Sequence, residues 1–261
     1  MAKKLGQHFL INKSKIKKII DALELKPGDT VIEIGPGHGE LTLPLARNFQ
    51  FLISNFQIIT IEKDLKLIKD LKSKIQNLGL KNIEIIEGDA LKILPKLCSK
   101  LHASSFKIVG NIPYYITGHL LRIISELKNK PSLIVLTIQK EVAERICAIQ
   151  PKMNLLAASV QFWAEPKIIG GIPKKDFKPT PKVDSAIIKL VPKSQKLKTK
   201  SYYRLIKILF KQPRKTIINN LRPTTNDLRL LTQKLQKLKI NPADRPQNLS
   251  IKQIKELSTL F

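Results

Sequence analysis

Residues 30–39 read Thr30-Val31-Ile32-Glu33-Ile34-Gly35-Pro36-Gly37-His38-Gly39, a short β-branched run that ends in three glycines at alternate positions. Branched side chains favour an extended backbone, and glycine permits the tight turn that ends a strand. Residues 40–47 then read as a helix. A glycine-rich turn from strand to helix lets a cofactor approach the backbone at the carboxyl edge of a parallel sheet. The spacing here is GxGxG, not the GxGxxG of dinucleotide sites, and Glu33 stands two residues before the first glycine.

The same alternation continues on either side of this turn. A helix over residues 13–23 precedes it, closed by the turn Lys26-Pro27-Gly28-Asp29. Strand-type runs follow at 58–61, 83–86, 107–109 and 133–138, separated by helical patterns at 65–78, 90–97, 117–127 and 141–149. Strands alternating with helices predict parallel pairing with right-handed crossovers, an α/β doubly wound sheet of Rossmann-like type. After Pro151 come a helical stretch through Trp163, a Gly/Pro-rich passage Gly170-Gly171-Ile172-Pro173 and a strand over 185–191, which predict an antiparallel finish to the sheet. Residues 192–200 have the composition of a linker, so the reading places domains at 1–191 and 192–261. The second is a small all-helical domain on Leu205, Ile208, Leu209 and Leu228, Leu231, Leu235, Leu238, broken at Pro213, Pro223 and Pro242.

The next two strand ends carry acids. Glu62 closes the second strand, where a carboxylate would accept from both hydroxyls of a ribose. The third ends in Glu87-Gly88-Asp89-Ala90, which puts Asp89 beside the same crevice, suited to the N6 donor of adenine. Without a pyrophosphate fingerprint, S-adenosylmethionine fits this set better than NAD. The fourth strand runs into Val109-Gly110-Asn111-Ile112-Pro113-Tyr114-Tyr115. An exocyclic amine on adenine is a poor nucleophile because its lone pair is delocalised into the ring. The Asn111 side-chain oxygen and the Ile112 carbonyl would each accept one N6 hydrogen and draw the nitrogen toward tetrahedral geometry. Pro113 fixes the turn, and Tyr114 offers an aromatic face for an extruded base.

Charge points to a polyanionic partner: the 261 residues carry a formal net charge of +27. From Val191 onward 17 basic residues face 3 acidic ones, +14 in 71 residues against +13 in the preceding 190. A lysine-rich background would raise both parts alike, so the denser tail favours a nucleic-acid surface. Cys98 and Cys147 are isolated, which indicates a reducing compartment. With no secretory h-region and no run of about 18 apolar residues, the expectation is a cytoplasmic protein without a membrane span. His8, His38, His102 and His119 are scattered, so no metal is expected.

Taken together, these motifs resemble the ribosomal small-subunit RNA adenine N6-dimethyltransferases. The likeness runs the whole length. It includes Gly6-Gln7-His8-Phe9-Leu10, Gln139-Lys140-Glu141-Val142-Ala143-Glu144-Arg145 and Phe177-Lys178-Pro179-Thr180-Pro181-Lys182-Val183-Asp184-Ser185-Ala186, with Pro213-Arg214-Lys215-Thr216 and Arg245-Pro246 in the tail. The resemblance implies methyl transfer from S-adenosylmethionine to N6, twice on each of two adjacent adenosines near the 3′ end of 16S rRNA within the small ribosomal subunit, coupled to subunit maturation, by a monomer. It also implies that His8 and Leu10 lie over the cofactor and that Gly35, with Gly37, meets its methionine end. Glu62 would take the ribose and Asp89 the adenine, Asn111 would bridge cofactor and target, and Phe177 would give the base a second face. Three departures stand out: His8 replaces a frequent Asn, residues 47–57 are several residues longer than usual, and residues 153–159 lack a Tyr-Gly common in relatives. The rivals are a 23S rRNA methyltransferase of the macrolide-resistance type, a non-catalytic ribosome-assembly factor, and a DNA adenine methyltransferase, which would be expected to carry a base-reading domain.

Overall fold

The computed structural model describes residues 7–49, 56–101, 106–193, 199–224 and 227–260. Gly6 of the N-terminal motif, residues 50–55 of the long stretch after Arg47, His102, and residues 194–198 of the expected linker lie outside them.

The chain opens with a two-residue strand β1 (Phe9–Leu10) and helix α1 (Lys13–Asp21). The Asn12 side chain caps α1 by accepting from the Ser14 and Lys15 amides, and Ile16, Ile19 and Ile20 form its buried face. Strands and helices then alternate as β2 (Thr30–Ile34), α2 (Thr42–Phe49), β3 (Gln57–Glu62), α3 (Leu65–Asn77), β4 (Ile83–Glu87), α4 (Ala90–Lys100), β5 (Phe106–Asn111), α5 (Thr117–Glu126) and β6 (Leu133–Gln139). Helices α6 (Lys140–Ile146) and α7 (Leu155–Gln161) lead to β7 (Ala164–Ile172), a short β8 (Phe177–Lys178) and β9 (Ser185–Pro192). The tail carries α8 (Thr199–Leu209), α9 (Ile217–Leu221), α10 (Leu228–Lys237) and α11 (Ile251–Ser258).

Seven strands make the main sheet in the order β4-β3-β2-β5-β6-β9-β7. From β4 to β6 all pairings are parallel, and β9 runs antiparallel to β6 with Thr137 opposite Ile187 and Gln139 opposite Ser185. The antiparallel finish is therefore present. The Gly170-Gly171-Ile172 part of the Gly/Pro-rich passage is the end of β7: glycine's poor strand propensity is local and yields to pairing in the sheet. Val31, Ile58, Val109, Val135 and Ile187, one from each of five strands, share a buried cluster with Ile19 and Ile20 of α1 and Leu45 of α2. Each such side chain contributes about 1.5–3 kcal/mol on burial. Because the chain winds from β2 out to β4 and returns to β5 on the other flank of β2, a crevice opens at the carboxyl ends of β2 and β5.

Two compact units result, Met1–Ala143 with Lys167–Pro192, and Glu144–Pro166 with Lys193–Phe261. This division groups residues 144–166 with the tail, where a single cut after Val191 would group them with the first part. The reason is packing within the second unit: the Phe162 ring stacks on Tyr202 with centroids 3.9 Å apart, and the Tyr202 hydroxyl donates to the Ala158 carbonyl at 2.9 Å. That discontinuity leaves no mark on composition or periodicity.

Candidate active site

The crevice is lined by the strand ends that the sequence singles out. Gly35 follows β2 and its amide donates to the Ile61 carbonyl of β3 at 3.0 Å, which fixes the turn against the neighbouring strand. Gly37 has φ +60°, and a Cβ there would come within 2.9 Å of the Phe9 ring and of Glu40 Oε2, so the turn admits only glycine where β1 crosses it.

Four carboxylates border the cavity, Glu33, Glu40, Glu62 and Asp89. Glu62 Oε1 accepts from the amides of Lys63 at 2.8 Å and Asp64 at 2.9 Å, leaving Oε2 outside these bonds. Asp89 caps α4, its Oδ1 accepting from the Leu91 amide at 2.9 Å, with Oδ2 3.8 Å from the Lys63 ammonium. Glu33 is 1% exposed, and the Thr42 hydroxyl donates to its Oε2 at 2.5 Å. Burial, reinforced by Glu40 and Glu62 and only partly offset by Thr42, pushes its pKa up to about 8. At neutral pH Glu33 is thus mostly the uncharged acid. Sequence reading noted its position and gave it no role, since its protonation depends on burial that no motif encodes.

Asn111 ends β5 and lies in the same cavity as Glu62 and Asp89. Its Nδ2 donates to the His8 backbone carbonyl at 2.7 Å. A carbonyl only accepts, so the amide is held with its nitrogen on the N-terminal segment and its Oδ1 turned away from it. Ile112 is buried, and Pro113 leads into a 3₁₀ turn over Tyr114–Ile116. The Tyr114 hydroxyl shares a 2.7 Å hydrogen bond with Ser185 at the start of β9, and its ring lies 6.0 Å from His8 at 27°. Desolvation raises the Tyr114 pKa further above the phenol range, so it is a neutral aromatic surface.

The N-terminal segment over the cavity is anchored by pairing with the residues around Phe177. Leu10 pairs with Phe177 and Phe9 with Lys178, the Ile11 amide donates to the Asp176 carbonyl at 2.9 Å, and His8 Nδ1 donates to the Pro179 carbonyl at 2.8 Å. His8, Leu10, Gly35, Gly37, Glu62, Asp89, Asn111, Ile112, Pro113 and Tyr114 all line one cavity. Phe177 does not: it is 2% exposed and packed into the core cluster with Leu10. Ser185 and the exposed Tyr115, which also lines the cavity, had no assigned role; their positions depend on the β6–β9 pairing and on the 3₁₀ turn. Among the described residues no group of three or more His, Cys, Asp or Glu is placed to hold a metal, and no helix is long and apolar enough to cross a membrane.

Comparison with known proteins extends this picture along the entire chain. A ribosomal RNA small subunit methyltransferase A of Dehalococcoides mccartyi is 38% identical over 260 residues, 98% of this chain and 86% of the relative. The crystal structure of a dimethyladenosine transferase from Plasmodium falciparum superposes with a TM-score of 0.80 at 27% identity, covering 96% of each chain. That of the 23S rRNA methyltransferase ErmE gives 0.76 at 25% identity, covering 96% of this chain and 98% of that one. The family model described as ribosomal RNA adenine dimethylase matches residues 1–261. From its first residue to its last, the chain belongs to the ribosomal RNA adenine dimethylase family.

Proposed function

We propose that this enzyme transfers methyl groups from S-adenosylmethionine to the N6 amines of two adjacent adenosines near the 3′ end of 16S rRNA in the small ribosomal subunit, twice on each. It acts as a cytoplasmic monomer during subunit maturation. The observation that carries the reading is Asn111, whose amide is oriented by His8 so that its oxygen is available to an amine in a cavity also lined by Glu62 and Asp89.

The residues present fit the cofactor. Glu62 Oε2 would accept from a ribose hydroxyl and Asp89 from an adenine amine, and the close backbone at Gly35 and Gly37 would meet the methionine end. When bound, S-adenosylmethionine supplies an electrophilic methyl group on a sulfonium sulfur. The protein supplies position and polarity. Tyr114 holds the target base flat, and Asn111 Oδ1 with the Ile112 carbonyl accepts the two N6 hydrogens in the first transfer and the single remaining hydrogen in the second. Those bonds localise the lone pair on N6 and orient it for in-line attack. As N6 becomes cationic it is most acidic, so its proton passes to solvent water and no strong base is needed; the neutral Tyr114 and mostly neutral Glu33 do not take it.

The small subunit is favoured over 23S RNA by relatives 35–38% identical over 98% of this chain that are named ribosomal RNA small subunit methyltransferase A. Methyl transfer from labelled S-adenosylmethionine to unmethylated small subunits, with 23S RNA and duplex DNA competing, tests it. Dimethyladenosine in small-subunit RNA alone is expected. Label in 23S RNA would overturn the substrate, and binding without label would overturn the activity.

A further inference from the structure

The cavity mouth carries an aromatic ring that the reaction so far does not use. Tyr115 lines the same cavity as Tyr114, yet it is 66% exposed, more than almost any other large apolar or aromatic side chain among the described residues. Its setting is ordered: the 3₁₀ turn Tyr114–Ile116 is closed by the Ile116 amide on the Pro113 carbonyl at 3.1 Å and runs directly into α5. With three residues per 3₁₀ turn, successive side chains diverge by roughly 120°. Tyr114 is tied to Ser185, so the adjacent ring points elsewhere, toward solvent at the lip.

A folded protein gains nothing by holding a bare ring there. Scattered apolar residues elsewhere on the surface need no explanation, but this one stands at the entrance for the substrate. Phe177, the other aromatic that sequence suggested for the RNA, is buried in the core and lines no part of the cavity. A base drawn into the cavity breaks its stack with its neighbour in the strand. That neighbour remains tethered one phosphodiester away, the spacing on which two adjacent side chains can each meet a base. A chain of net charge +27, with Lys63 lining the same cavity, favours a nucleic-acid occupant over an apolar protein segment.

We propose that Tyr115 is a second stacking platform, which holds the base flanking the target adenosine while Tyr114 holds the target itself. This rests on the reading of the enzyme as an adenosine methyltransferase acting on RNA. On a substrate with two adjacent adenosines the platform takes one while the other reacts. Exchange of the pair between the two rings then presents each adenosine in turn without release of the strand.

The test compares wild type with Tyr115→Ala, Tyr115→Phe and Tyr115→Trp in the full chain. The readouts are kcat and KM on unmethylated small subunits, Kd for the subunits, calorimetric affinity for S-adenosylmethionine, and the split between half-modified and fully modified adenosine pairs. Loss of one base–aromatic stack predicts that Tyr115→Ala weakens kcat/KM and subunit binding about tenfold to hundredfold. Half-modified pairs accumulate in that variant, cofactor affinity is unchanged, and Phe and Trp restore wild-type behaviour. Tyr115→Ala equal to wild type, or Tyr115→Phe as poor as Ala, overturns the proposal. If wild type methylates 23S RNA instead, the parent reading fails while the variant ratios, measured on that RNA, still decide the stacking. If wild type methylates nothing, the Kd ratios decide it alone.

Discussion

In the proposed mechanism Asn111 acts through one hydrogen bond that it donates to the His8 carbonyl and one that its oxygen accepts. Asn111→Ala removes the acceptor and is expected to lower transfer at least about 10²–10³-fold, with S-adenosylmethionine affinity within a few-fold of wild type by calorimetry. Asn111→Asp, nearly isosteric, sets a carboxylate against the His8 carbonyl, so it is expected to fail despite keeping an oxygen. Glu33 makes a second prediction. Its folded pKa of about 8 lies above its ordinary 4.5, so between these values the folded state holds a proton that the unfolded state has released. Stability therefore falls as pH rises through that window, by up to about 1.4 kcal/mol per unit, and levels off above it. Glu33→Gln removes this slope, and denaturant titrations of the cofactor-free protein at pH 5 to 9 should show the variant gaining on wild type as pH rises. Glu62, Asp89 and Asn111 were legible because strand ends are legible. The His8 carbonyl and the Glu33 proton were not, since one is a backbone atom about a hundred residues away and the other a consequence of burial.

Most strands and helices follow the hydrophobic periods closely, β2 to the residue. The exceptions include the nine-residue β7, which ends in Gly170-Gly171-Ile172, and the shortest elements. β1 and β8, two residues each, have no period to read, yet their pairing holds the N-terminal segment over the cavity. Close strand packing gives a prediction at this scale. A Cβ on Gly110 would lie 2.6 Å from the Ile34 carbonyl oxygen, backbone that the sheet holds in place. Gly110→Ala must part β2 from β5 at the point where Asn111 is aimed. Thermal denaturation should show a loss of about 1–3 kcal/mol, and kcat should fall by more than that loss accounts for, because the amide is displaced.

For the whole molecule, composition marks a basic tail and carries no sign that one compact unit is assembled from separate segments, Glu144–Pro166 and Lys193–Phe261. Residues 1–191 expressed alone keep α7, Phe162 and Trp163 but lose Tyr202 and the other residues of α8 and α11 in their unit. That fragment should aggregate or bind a hydrophobic dye where the full chain does neither, as light scattering and dye fluorescence would show. The order of synthesis matters to the small β1–β8 sheet as well. All five parallel strands, and with them Glu62, Asp89 and Asn111, have been made by Gln139, whereas the partners of β1 at Phe177 and Lys178 come about forty residues later. A nascent chain folding from its N-terminus thus holds the floor of the cavity before it has any means of fastening the roof, which can close only once Lys178 has been made.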